Sequence, residues 1–137
     1  MDKEVIEQKL ESLRRCLQRI EDKCPPDYRI LEEDPDLQDI MVLNLTRAVQ
    51  LCVDIGAHLV SQLDVPAPDT MGATFDALAK AGVISDALAL QLKKAVGFRN
   101  IAVHNYEAIN WQIVQRIATD YLQDFSLFSR KIASRLP

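Results

Sequence analysis

At 137 residues, with 48% hydrophobic residues, 26% charged residues and only four glycines, the chain has an ordinary globular composition and room for one core. That composition excludes a disordered or low-complexity chain, and the formal net charge of −4 is opposite to that of a dedicated nucleic-acid binder. The charge is uneven, however: residues 1–40 hold twelve Asp/Glu against seven Lys/Arg, a net of −5, whereas residues 41–137 hold eight against nine, a net of +1.

Residues 3–23 carry Ile6, Leu10, Leu13, Leu17 and Ile20 in 4-3-4-3 spacing, which predicts an amphipathic helix of about six turns. Cys24-Pro25-Pro26-Asp27 stops it. Residues 27–36 read as an acidic connection, with Arg29-Ile30-Leu31 as a short irregular segment. Residues 37–63 predict the most apolar helix: Met41, Leu45, Ala48, Cys52, Ile55, Leu59 and Leu63 share one face, and Val42, Val49, Val53, Gly56 and Val60 widen it. Such a helix is buried on two sides, in the bundle or against another subunit. Its narrow polar stripe is Arg47, Gln50, Asp54, His58 and Ser61. That stripe is either a solvated face or a face turned to a functional cleft, where Asp54 could orient an imidazole or an arginine. His58 taken alone reads as structural.

Asp69 or Thr70 caps a short helix that runs to Ala79, with Met71, Phe75 and Leu78 inward, and Gly82 is its C′ stop. Ser85 caps the next helix, whose apolar residues Leu88, Leu92, Ala95 and Val96 lead into Arg99. Asn110 caps the last helix, with Val114, Ile117, Tyr121, Phe125, Phe128 and Ile132 as its core stripe. The fold expected is all-α: an antiparallel four-helix bundle with one additional short helix, as a single domain over residues 1–137. The cysteines Cys16, Cys24 and Cys52 are odd in number, with no CxxC pair and no zinc-ligand spacing, which fits a reducing cytoplasm. There is no secretory leader pattern and no run of 18 apolar residues, so no membrane association is expected.

The chemistry concentrates in Gly97-Phe98-Arg99-Asn100-Ile101-Ala102-Val103-His104-Asn105-Tyr106. No Asp or Glu falls between Asp86 and Glu107, while Lys93, Lys94, Arg99 and His104 do, so the stretch is locally basic. Histidine moves protons near neutral pH, and arginine offers a permanent planar cation to phosphate oxygens. The two suit attack of a ribose 2′-hydroxyl on its own phosphodiester, with His104 moving the proton and Arg99 holding the charge on the phosphorane, without a metal or other cofactor. Five positions on a regular helix leave Arg99 and His104 about 140° apart. They converge only if the helix ends or bends between them, or if a second subunit completes the site. Asn100 and His104, at i and i+4, share a face. Asn100 and Asp54 are the candidate supporting residues.

Arg99-Asn100-Ile101-Ala102-Val103-His104-Asn105-Tyr106 resembles the R-N-x-x-x-H-x-Y signature of the HEPN superfamily, in its HepT-type toxin branch, and matches at Arg99, Asn100, His104 and Tyr106. The resemblance implies a metal-independent endoribonuclease of a toxin–antitoxin pair. The enzyme would be a homodimer with both motifs at the interface. It further implies an MntA-type nucleotidyltransferase antitoxin that silences the toxin by placing AMP on Tyr106. The competing expectation is a non-catalytic HEPN-like helical scaffold that binds the nucleotidyltransferase. An intact Arg99/His104 pair separates the two, because a pure scaffold would not need both. A third expectation is a helical dimerisation domain whose motif is coincidental.

Overall fold

A computed structural model describes residues 2–137. The chain forms α1 (Lys3–Lys23), α2 (Tyr28–Glu33), α3 (Pro35–Val60), α4 (Met71–Lys80) and α5 (Asp86–His104). A 3-10 turn (Tyr106–Ala108) follows. The last long helix then runs as α6 (Trp111–Arg116), a π turn (Ile117–Tyr121) and α7 (Leu122–Ala133). Four long helices, α1, α3, α5 and α6–α7, make the bundle expected from the sequence.

Helix starts follow the capping side chains. Carboxylates of Asp2 and Asp34 accept from the backbone N–H groups of Val5 and Leu37 at 3.2 and 3.1 Å. Thr70 and Ser85 do the same for Ala73 and Leu88 at 3.1 and 3.0 Å, and Asn110 for Gln112 at 2.9 Å. Asp34 followed by Pro35 at the first helical position starts α3 two residues earlier than its apolar pattern suggests. At the end of α4, Gly82 adopts φ +76°, Val83 N–H reaches Leu78 C=O at 2.9 Å and Gly82 N–H reaches Ala79 C=O at 3.0 Å. That pair of bonds is a Schellman stop.

Long-range contacts set the directions. Lys9 meets Asp54 at 3.8 Å and Asp2 N–H meets His58 Nε2 at 3.3 Å, so α1 and α3 run antiparallel. Tyr106, just beyond α5, meets Asp39 near the start of α3, so α3 and α5 are antiparallel too. The core is one continuous cluster. Ile6, Leu13 and Ile20 of α1, Met41, Cys52 and Ile55 of α3, Phe75 of α4 and Phe128 of α7 are all fully buried. Phe75 meets Phe128 edge-on at 5.9 Å. By length and composition α3 could cross a membrane, but its wide apolar face is spent on this core.

Two local readings are corrected. The acidic connection is not irregular: Asp27 caps α2 through the Arg29 N–H at 2.9 Å, and Leu31 is fully buried beneath it. The last helix does not keep one regular stripe, because the π turn inserts a residue and rotates the face. Thr119 hydroxyl donates to the Gln115 carbonyl at 3.0 Å, competing for a helix acceptor there. Ala118 therefore fills the core where Ile117 and Tyr121 were expected, and those two turn partly outward.

Candidate active site

The site is built on the final turns of α5. Leu88, Leu92, Val96, Phe98 and Ala102 are buried and clamp the helix to the bundle. The opposite side presents Leu90, Lys94, Gly97, Ile101 and His104, all exposed and in 4-3-4-3 spacing. Leu90 and Ile101 are 53% and 47% exposed, and Ile113 of α6 is 51% exposed. An apolar cleft of about 500 Å³ runs beside this face, with Gly97, Ile101, Ile113 and Ile117 along it and Lys94 and Arg116 at its rim. The π turn, which swings Ile117 and Tyr121 out of the core, supplies part of that wall.

Arg99 is half-buried, and its Nη1 donates to the Asn100 side-chain oxygen at 3.2 Å. Among the described residues no carboxylate forms an ion pair with Arg99, so its fork keeps its capacity for an external anion. Lys93, by contrast, is paired with Asp76 of α4 at 3.1 Å. His104 is exposed as the last residue of α5, and no bond holds its imidazole among the described residues. The helix is unbroken from Asp86 to His104. Convergence of Arg99 and His104 through a helix end between them is thereby excluded, and within one chain they stay about 140° apart.

Asn105 caps α5 by its N–H to Ile101 C=O at 2.8 Å, and the 3-10 turn begins with Tyr106. The Tyr106 ring stands edge-on to Trp111 at 6.0 Å. Its hydroxyl donates to Asp39 Oδ1 at 2.8 Å. Burial, then the hydrogen bond and charge of Asp39, and then Glu107 push the phenol up to about 12. The residue is nevertheless 38% exposed, so the tyrosine is not sealed inside the bundle.

Asp54 is not part of this site within the chain. It accepts from Gln50 Nε2 at 2.9 Å and pairs with Lys9 of α1 at 3.8 Å. It lies fifteen positions beyond Asp39 on α3, about 22 Å along the axis. Arg47 shares a groove on the α1 side with Arg15 and Arg19, and His58 accepts from the Asp2 N–H at the start of α1. The polar stripe of α3 thus faces α1 rather than the motif. Asp39 is the residue that sequence reasoning missed. It is one of twelve acidic residues in the first forty, and no local spacing ties it to a tyrosine 67 positions away. Among the described residues, no group of three or more His, Cys, Asp or Glu side chains could hold a metal ion.

The comparisons with known proteins bear on the same stretch. The ribonuclease HepT-like family model matches residues 10–132. The mRNA nuclease HepT of Shewanella oneidensis is 36% identical over 125 residues, covering 91% of this chain and 93% of the relative. A tRNA nuclease HepT of Aphanizomenon flos-aquae is 29% identical over 135 residues, covering 96% and 90%. The solved structure of the tri-AMPylated Shewanella oneidensis HEPN toxin in complex with MNT antitoxin superposes with a TM-score of 0.89 at 35% identity, covering 98% of this chain and 99% of that one. With the whole bundle and the Arg99-to-Tyr106 stretch accounted for, this chain belongs to the ribonuclease HepT-like family.

Proposed function

We propose that this chain is the toxin of a toxin–antitoxin pair, an endoribonuclease that cuts RNA without a metal and is silenced by an MNT-type nucleotidyltransferase that places AMP on Tyr106. The observation that carries this reading is the placement of an Arg99 in no ion pair among the described residues, an exposed His104 and a partly exposed Tyr106 within eight residues at one end of α5, in a chain of this family.

The mechanism follows from the side chains. His104 accepts the proton of a ribose 2′-hydroxyl, whose oxygen attacks the adjacent phosphorus. Arg99 holds the charge on the equatorial oxygens, and the Asn100 amide steadies the guanidinium. The 5′-oxygen leaves with the electron pair of its bond to phosphorus and takes a proton from water, to which His104 returns the proton it accepted, and the products are a 2′,3′-cyclic phosphate and a 5′-hydroxyl. Because Arg99 and His104 diverge on an unbroken helix, a phosphate meets Arg99 of one subunit and His104 of the partner subunit in a homodimer. The exposed seam of Leu90, Gly97 and Ile101 is the apolar surface that such a two-fold contact covers. The doubled motif also concentrates positive charge in an otherwise acidic protein, which favours entry of an RNA backbone. The chain acts as one HEPN-like domain over residues 1–137, in the cytoplasm.

AMP on Tyr106 adds a phosphodiester charge and a purine two residues from His104, competing with RNA for Arg99 and filling the cleft mouth. The test is expression of the chain alone and with its nucleotidyltransferase, reading growth and RNA integrity. Wild type alone should arrest growth and degrade RNA, and the partner should relieve both. Tyr106→Phe should arrest growth with or without the partner and should gain no AMP by intact-mass spectrometry. Relief of Tyr106→Phe by the partner would overturn the reading.

A further inference from the structure

Asp39 sits on an exposed turn of α3, and its Oδ1 accepts from the Tyr106 hydroxyl at 2.8 Å. No other hydrogen bond to that oxygen is present among the described residues. Trp111 stands against the ring, and the Asn105 cap sets the start of the turn, so the phenol is held with its proton facing a carboxylate. Nothing in the packing of α3 requires this: an exposed Asp one turn into a helix is content in water. The contact instead joins the reactive oxygen of the proposed AMP acceptor to a base from a distant part of the chain.

A phenol that keeps its proton at neutral pH is a weak nucleophile, and the proton must leave as the new bond forms. Burial and the neighbouring Asp39 and Glu107 charges hold the Tyr106 phenol well above its ordinary range, so little phenolate exists beforehand. We propose that Asp39 is the general base for the modification of Tyr106, so that the toxin itself supplies the group that makes its tyrosine an acceptor. This rests on Tyr106 being the AMP acceptor, as proposed above. In the step, the Tyr106 O–H bond breaks and the proton passes to Asp39 Oδ1. The freed electron pair on the phenol oxygen bonds to the α-phosphorus of ATP, supplied with the nucleotidyltransferase. The bond from that phosphorus to the bridging oxygen breaks, and pyrophosphate leaves with the electron pair. Asp39 then returns its proton to water. The product oxygen has no hydrogen to donate, so the tie between the 3-10 turn and α3 is lost while a phosphodiester charge now stands beside the Asp39 carboxylate. Both effects release the modified tyrosine from α3.

The test is a time course of AMP addition by intact-mass spectrometry, with purified chain, its nucleotidyltransferase and ATP. Asp39→Asn presents an oxygen at the same reach, so it still orients the phenol but cannot take its proton. Its transfer rate should fall by about 10²–10⁴-fold, the usual contribution of a positioned base. Asp39→Ala should be equally slow, and millimolar acetate should restore part of its rate by acting as a diffusible carboxylate. Transfer to Asp39→Asn at the wild-type rate overturns the proposal. A slow Asp39→Ala that acetate does not rescue leaves Asp39 a positioning residue and overturns the base role. Circular dichroism of each variant separates these results from misfolding. Failure of wild type to gain AMP, or a gain on Tyr106→Phe, overturns the Tyr106 assignment first and the Asp39 role with it.

Discussion

If each site takes Arg99 from one subunit and His104 from the other, two dead proteins should make a live one. The perturbation is Arg99→Ala in one copy and His104→Ala in a second, differently tagged copy. On the unbroken α5, Arg99 and His104 lie about 140° apart around the axis and about 7.5 Å apart along it, too divergent for one phosphate to meet both on one chain. Loss of a proton-transfer group costs about 10²–10⁴-fold, or about 3–5 kcal/mol at 1.36 kcal/mol per tenfold. Each single variant should therefore be close to inactive. In a heterodimer of the two, one composite site has lost both groups and the other has lost neither. Doubly tagged heterodimers should then show about half of the wild-type cleavage rate, and a random co-expression mixture about a quarter. The assay is cleavage of a labelled RNA by purified heterodimers with both parents as controls. Heterodimers as inactive as their parents would show that each site draws Arg99 and His104 from one chain, and would overturn the composite site.

Three further outcomes are expected. Ile101→Lys places a charge in the exposed α5 seam, so sedimentation should shift from dimer to monomer and cleavage should be lost with helix content kept; a persisting dimer would move the interface elsewhere. Of the three tyrosines, one should titrate near 12 by phenolate absorbance, and Tyr106→Phe should remove that transition. Because the folded value is raised above the unfolded value of about 10, Tyr106 contributes stability below about pH 10 that is lost as pH rises toward 12. A set of tyrosines that all titrate near 10 would contradict the Asp39 contact. Finally, a Cβ at Gly56 would stand 2.9 Å from Thr74 Cγ2 and 3.1 Å from Leu78 Cδ1. Gly56→Ala should thus lose about 1–3 kcal/mol to overpacking against a gain of about 1 kcal/mol in helix propensity, lowering the urea midpoint; a raised midpoint would mean that α4 yields easily.

Much of this molecule was legible from local rules. The α1 seam, the Thr70, Ser85 and Asn110 caps and the Gly82 stop depend on residues within one turn of each other, and each appears where the pattern puts it. The motif itself was legible because Arg99, His104 and Tyr106 are contiguous on one helix end. What escaped was non-local or aperiodic. The α2 helix is one buried Leu31 wide and carries no period. The π turn sits where the Thr119 hydroxyl donates to the Gln115 carbonyl, a side-chain contact that hydropathy does not register. Within the chain Asp54 lies apart from the motif, because a polar stripe on a helix has no marked neighbour until α1 is docked and Lys9 pairs with it. Asp39 was hidden for the same reason: its partner is chosen by the antiparallel register of α3 and α5, not by spacing.

The proposal that Arg99 and His104 carry RNA cleavage without a metal is open to direct test. It is tested most directly by incubating the purified, unmodified chain with RNA in excess EDTA, beside Arg99→Ala and His104→Ala, and identifying the product ends. Wild type should cleave and leave a 2′,3′-cyclic phosphate or its 3′-phosphate product, and each variant should lose about 10²-fold or more with the helical fold intact. Cleavage that stops in EDTA, or either variant cutting at the wild-type rate, would contradict it.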